Sequence, residues 1–271
     1  MSQPFFDLRA SHNPHRWHLP LDHTNCVGRE PRYFMYGGIG LAASVAALER
    51  TCKRPVVWVT AQYLSFAQPG QVLDLDVWLP VNGNVTTQAR VNGHVGDKEI
   101  ISVIAALGSR PGGPSVHWRG TPDVPPPEDC PNLEIWEGQA SMLHGRLEAR
   151  GIPGRVGYGN MSGKPSADGR AMFWLRSREG QPTDASMLAV FADYVPSAAG
   201  AALGRRFAGN SLDNTLRVRR LVETEWVLCD IRVTSVHDGF GYGEMDLYAE
   251  NGELLATASQ SFILRDLPAA G

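Results

Sequence analysis

The hydrophobic pattern divides the chain into two halves that follow the same plan. In the first, Gly37 to Thr51 reads GGIGLAASVAALERT, and Leu41, Val45 and Leu48 recur on one helical face. Four runs rich in Val, Ile, Leu and aromatic residues follow, at Pro55–Phe66, Val72–Val81, Val85–Val95 and Glu99–Leu107. Turn signals separate them: Gln68-Pro69-Gly70, Asn82-Gly83 and Gly96-Asp97. In the second half, Ala185 to Val195 predicts a helix with Met187, Leu188 and Phe191 on its apolar side. Strand-like runs at Ser211–Val218, Trp226–Ser235, Gly239–Ala249 and Leu254–Leu264 come after it. The turn glycines keep step, with Gly83 and Gly96 as far apart as Gly239 and Gly252. Earlier strand candidates lie at Arg16–Asn25, Ser141–Ala149 and Ala171–Arg176.

One helix followed by four strands cannot build a βαβ layout, so the pattern predicts an antiparallel sheet curved around a helix, twice over. The alanine-rich Leu41–Leu48 stretch suits such wrapping, because small side chains let a sheet close tightly on a helix. Between the halves, Pro111–Pro131 carries seven prolines, too many for a helix or a central strand. This reads as a linker. The predicted division is residues 1–110, a linker over 111–131, and residues 132–271.

Composition narrows the function classes. The 271 residues carry a net charge of −3, which leaves no electrostatic footprint for nucleic acid or an anionic membrane. No stretch reads as the roughly 18 consecutive apolar residues of a membrane span, and the first residues lack the basic-then-apolar order of a signal peptide. The four cysteines are far apart, with no CxxC pair, which argues against a zinc site or a disulfide scaffold. The expected setting is the cytoplasm.

Several motifs lead nowhere. Gly38-Ile39-Gly40-Leu41-Ala42-Ala43 matches the loose dinucleotide pattern, but no hydrophobic strand precedes it and no acidic residue lies about 20 positions on. The glycine-rich run at 157–164 fails the spacing of a phosphate loop. His12, His15 and His18 have helical spacing, but Pro14 and Pro20 break any helix there, and no metal site is expected.

The ordered pieces Ser211-Leu212-Asp213-Asn214, Glu225-Trp226-Val227-Leu228, Thr234-Ser235 and Leu254 to Gln260 (LLATASQ) resemble the acyl-CoA thioesterase II family, over about Tyr33 to Arg265. The resemblance implies an α+β fold, a double hotdog, with two tandem halves that each wrap a long helix in a curved antiparallel sheet. It implies hydrolysis of fatty acyl-CoA to free acid and coenzyme A without a cofactor. Asp213, Thr234 and Gln260 would orient the attacking water, the carboxylate accepting its proton. Overlaying the halves places Asp213 over Ala61, Thr234 near Leu79 and Gln260 near Ala106, so the polar trio would belong to one copy only. The Gly37-Gly38 helix start offers backbone N–H groups to the developing oxyanion. Where the family usually has Gln shortly after these glycines, this chain has Ile39. The expected partner is an acyl-CoA substrate, with no nucleic acid, no membrane insertion, and a homo-oligomeric assembly. A non-catalytic acyl-CoA or lipid binder and a hotdog enoyl-CoA hydratase are the alternative readings; the hydratase would need an Asp and a His close together.

Overall fold

The fold is described from a computed structural model, over residues 4–133, 140–155, 164–205 and 207–266. Short strands β1 (Arg9–Ala10) and β2 (Arg16–Pro20) lead into a hairpin of β3 (Cys26–Arg29) and β4 (Arg32–Met35), and then α1 (Gly37–Cys52). The first meander is β5 (Val56–Tyr63), β6 (Val72–Asn82), β7 (Thr86–Val95) and β8 (Lys98–Gly108). After the proline-rich stretch come β9 (Leu147–Gly151), β10 (Arg170–Ser177), α2 (Ala185–Ala192) and α3 (Val195–Leu203). The chain ends with β11 (Phe207–Ser211), β12 (Asp213–Val218), β13 (Val227–His237), β14 (Phe240–Ala249) and β15 (Leu254–Asp266).

Twelve of these strands form a continuous path, β1-β2-β6-β7-β8-β5-β12-β15-β14-β13-β10-β9, and β11 pairs with β15 beside it. Every described pairing in this sheet is antiparallel, as the meander pattern predicts. The middle is the β5–β12 pair, where the Thr60 and Thr215 hydroxyls meet at 3.0 Å. One apolar cluster runs through both halves, from Phe5 to Leu264. Helix α1 packs against β5–β8 and against α2, and α3 packs against β10, β11 and β13–β15. From Gly38 to Leu48 every residue of α1 is buried, which explains a sequence of Gly, Ala and aliphatic residues with little polar face.

The second helix departs from its prediction. Asp184 caps α2, its Oδ1 accepting the Met187 N–H at 2.8 Å, and the helix stops at Ala192. Pro196 has no N–H to continue the ladder, so a new helix starts at Val195 with this proline in its first turn. The Ser197–Leu203 part was not expected to be helical. Taken together, Ala185–Leu203 is long and apolar enough to count as a membrane span, contrary to the sequence reading, although 78% of it is buried inside the fold. Its length reflects a core helix enclosed by sheet. Similarly, the expected Arg16–Asn25 strand ends at Pro20, because Asp22 caps a short turn by accepting the Thr24 N–H.

The proline-rich segment has no regular structure over most of its length but docks on β10 and β14. Tyr248 donates its hydroxyl hydrogen to Gly120 C=O, and Trp174 donates its indole N–H to Pro125 C=O at 3.0 Å.

Candidate active site

The most apolar helical stretch of the chain contains a single charged residue, Asp193, at the break between α2 and α3. It is 5% exposed. One carboxylate oxygen, Oδ2, accepts the Gly38 N–H at 2.7 Å from the first turn of α1. The other, Oδ1, accepts Gln260 Nε2 at 2.5 Å and the Ser211 hydroxyl at 3.1 Å. Gln260 Nε2 also donates to Ser211 Oγ at 2.7 Å, closing a ring of three side chains from the α2–α3 junction, β11 and β15. Burial pushes the Asp193 pKa up to about 6, against hydrogen bonds from Gln260, Gly38 and Ser211 that favour the charged form.

The backbone explains why glycines start α1. A Cβ at Gly37 would approach Asp193 Oδ2 to 2.9 Å, and one at Gly38 would lie 2.7 Å from the Tyr36 ring and 2.9 Å from Val190 C=O. Only a bare backbone lets the helix end come this close to the carboxylate. The Gly37 N–H, at the first helical position, has no partner within the helix.

Asp193, Gly37, Ser211 and Tyr63 line a cavity of about 200 Å³, together with apolar side chains such as Met35 and Ile100. Nearby polar atoms still have hydrogen-bonding capacity to use. Gln260 Oε1 is buried without a partner among the described residues, and the Asn214 amide lies beside both the Tyr63 hydroxyl and the Asp193 carboxylate. Burial, and then the charge of Asp193, drives the Tyr63 pKa far up. Leaving a buried acceptor unmet costs about 1–3 kcal/mol.

The predicted trio does not assemble. Gln260 stands in the ring, fully buried. Asp213, one residue past Leu212 on the next strand, instead turns its Oδ1 to the Ser261 N–H at 2.8 Å. Thr234 is exposed, at a bulge of β13 between Val233 and Ser235. The strand order also keeps them apart, since β14 separates β13, which carries Thr234, from β15, which carries Gln260. The internal overlay shifts too: Ala61 pairs with Val103 and Gln62 with Ser102, while Thr215 pairs with Ser259. Placing Asp213 over Ala61 therefore sets Ser102, a polar residue, over Gln260, not Ala106. Gly38 also takes a different place from the one expected, since its N–H is committed to Asp193. Asp193 and Ser211 were missed. The signal for the first was present: a lone acid in an apolar helical run is expensive to bury and needs partners.

Comparison with known proteins identifies the family. Residues 127–264 match the family described as acyl-CoA thioesterase C-terminal domain. The chain is also similar to a protein of Novosphingobium aromaticivorans DSM 12444 described as a candidate thioesterase, with 33% identity and TM-score 0.86, over 96% of this chain and 98% of that one. The chain belongs to the acyl-CoA thioesterase family. It is a thioester hydrolase by that membership, with a hotdog fold. Two more distant structures share the fold of this thioesterase. They are the acyl-CoA thioesterase II TesB2 of Mycobacterium marinum (21% identity, TM-score 0.75, 97% and 98% covered) and a conserved hot dog protein of Alicyclobacillus acidocaldarius (19%, 0.80, 96% of each). No curated protein sequence matches the chain significantly.

The glycine-rich run at 157–163 lies outside the described residues. Among those described, no cluster of three or more His, Cys, Asp or Glu side chains has the arrangement to hold a metal ion.

Proposed function

We propose that this thioesterase hydrolyses acyl-CoA, fatty acyl-CoA in particular, by direct attack of a water held on Asp193, Ser211 and Gln260. The observation that carries the reading is the closed ring of these three side chains around a carboxylate pinned to the Gly38 N–H. A carboxylate with a pKa near 6 is ionised at neutral pH yet basic enough to take a proton from a water as it attacks. Ser211 and Gln260 restrict where that water can sit, and orientation of this kind lowers barriers by several kcal/mol.

In the step, the water oxygen bonds to the thioester carbon while its proton passes to Asp193. The tetrahedral intermediate then collapses with cleavage of the carbon–sulfur bond, the thiolate of coenzyme A leaves, and the proton held by Asp193 is available to it. Gly37 replaces Gly38 as the proposed oxyanion donor, because its N–H is free of the carboxylate and its backbone lines the cavity. One such donor contributes about 2.7–4 kcal/mol.

We read the architecture as two hotdog halves joined by the proline-rich linker. The strand order supports this: outward from the central pair, β8-β7-β6-β2 on one side answers β15-β14-β13-β10 on the other. A hydratase reading gains an Asp and a His on one cavity, since His144 joins Asp193 there. His144, however, is paired with the Tyr194 hydroxyl and Asp193 with Gln260 and Ser211, so they do not act on each other directly. The test is release of free thiol from acyl-CoAs of increasing chain length. Release supports hydrolysis, and its profile identifies the acyl class; hydration of an enoyl-CoA, or binding without thiol release, would overturn the proposal.

A further inference from the structure

The turn Leu143–Arg146, just before β9, contributes nothing to the Asp193 ring, yet it brings an imidazole to the same cavity. The turn is firmly held. Met142 and Leu143 are buried, the Gly145 N–H donates to Met142 C=O at 3.0 Å, and a Cβ at Gly145 would meet the Ala140 carbonyl oxygen at 1.8 Å. From this base His144 places Nδ1 2.9 Å from the Tyr194 hydroxyl. Its ring also stands edge-on to Tyr36 and Tyr194, with centroids 5.8 and 5.7 Å away, and the two tyrosine rings are 6.0 Å apart. Phe173 supports Tyr194 from the sheet at 5.8 Å.

What makes this cluster more than core packing is where its tyrosines sit in the chain. Tyr36 immediately precedes Gly37-Gly38, and Tyr194 immediately follows Asp193. The imidazole therefore touches the residue next to Asp193 and the residue two before Gly38, on the two segments that the Gly38–Asp193 hydrogen bond joins from opposite halves of the chain. We propose that His144 is a positioning residue for hydrolysis, holding the Asp193 carboxylate and the Gly38 N–H at their working separation through Tyr194 and Tyr36. This rests on Asp193 as the base. Burial keeps the ring neutral, with a pKa pushed down to about 4, so it pairs with a hydroxyl without adding charge beside the carboxylate.

Among the described residues, the titratable groups facing Asp193 are Tyr63 from β5, Tyr36 from the entry to α1, Tyr194 from its own segment and His144 from the turn. Asp213, on β12, acts on Tyr63. A change in the Asp193 titration when His144 is altered thus reports on geometry.

The test uses the full chain with His144→Phe, Tyr194→Phe and the double variant. Thiol release from an acyl-CoA hydrolysed by the wild type is followed across the acidic limb of the pH profile, alongside thermal midpoints. Each single variant should lower kcat about tenfold, a scale set by small misplacement of a catalytic group, with KM within about threefold. The acidic limb should move to higher pH, because a loosened Gly38 N–H no longer favours the carboxylate. The double variant should be no worse than either single one, as expected for one broken contact. A stationary limb, or losses that add, would overturn the proposal. If His144→Phe does not fold, Tyr194→Phe breaks the same bond from another element and decides the matter. A wild type that releases no thiol overturns the proposed function, whereas an active wild type with an unmoved limb in the variants overturns only the role of His144.

Discussion

Asp193→Asn removes the charge at the centre of the site while keeping its shape. The wild-type carboxyl titrates near 6 in the folded protein against an ordinary value of 3.8. Its folded pKa is raised, so between about pH 4 and pH 6 the native state binds this proton more tightly than the unfolded chain. The contribution to stability is fully present below about pH 4, declines as pH rises through 6, and is level above that. A displacement of about two pH units is worth about 3 kcal/mol. Asparagine does not titrate. The variant should therefore gain about 3 kcal/mol on the wild type as the pH is taken from about 4 to about 7. Its oxygen can still accept from Gln260 and Ser211, but its NH₂ then faces the Gly38 N–H, a donor against a donor that costs about 1–3 kcal/mol. Near neutral pH the two effects nearly cancel, and the variant is expected to be about as stable as the wild type. Denaturant unfolding of both proteins at several pH values measures the tilt. In a thiol-release assay kcat should fall at least about a hundredfold, the range for losing a general base. A variant that keeps kcat within about threefold would refute Asp193 as the base; two parallel pH–stability curves would refute the buried-charge account of its pKa.

Gln260→Ala strips Asp193 of its shortest hydrogen bond; kcat should fall about 10- to 100-fold, with the acidic limb of the pH–rate profile moving upward. Ser211→Ala removes one donor to Asp193 and one acceptor for Gln260, and a fall of about tenfold in kcat with little change in KM is expected from steady-state kinetics. Gly38→Ala would drive a methyl against the Tyr36 ring and Val190 C=O, so calorimetry should show a loss of about 1–3 kcal/mol and the assay a severe loss of activity. Asp213→Asn and Thr234→Ala should leave thiol release within about twofold, since neither side chain reaches the ring; a drop like that of Asp193→Asn would restore the trio first read from the sequence.

The sequence by itself determined most of the local elements, though not the helix over Ser197–Leu203 or the end of β2 at Pro20, and, through the order of its motifs, the family. Period-two runs of Val, Ile and Leu between glycine turns give strands wherever they occur, and the small residues of α1 fit only a buried helix. The closing strand that delivers Gln260 and the glycine pair at the α1 entry were both legible in this way. Which polar groups meet was not. Gly38 and Asp193 are 155 residues apart, and Gln260 and Asp193 67 apart. Their encounter depends on β12 pairing with β5, on the break that Pro196 imposes after Asp193, and on β14 lying between β13 and β15. A one-residue step along a strand exchanges the two faces of the sheet, and the same sensitivity applies at the turn from β11 to β12, where Ser211 enters the ring and Asp213 does not. Only the tertiary structure decides such choices, because a buried carboxylate persists only where distant segments bring it donors.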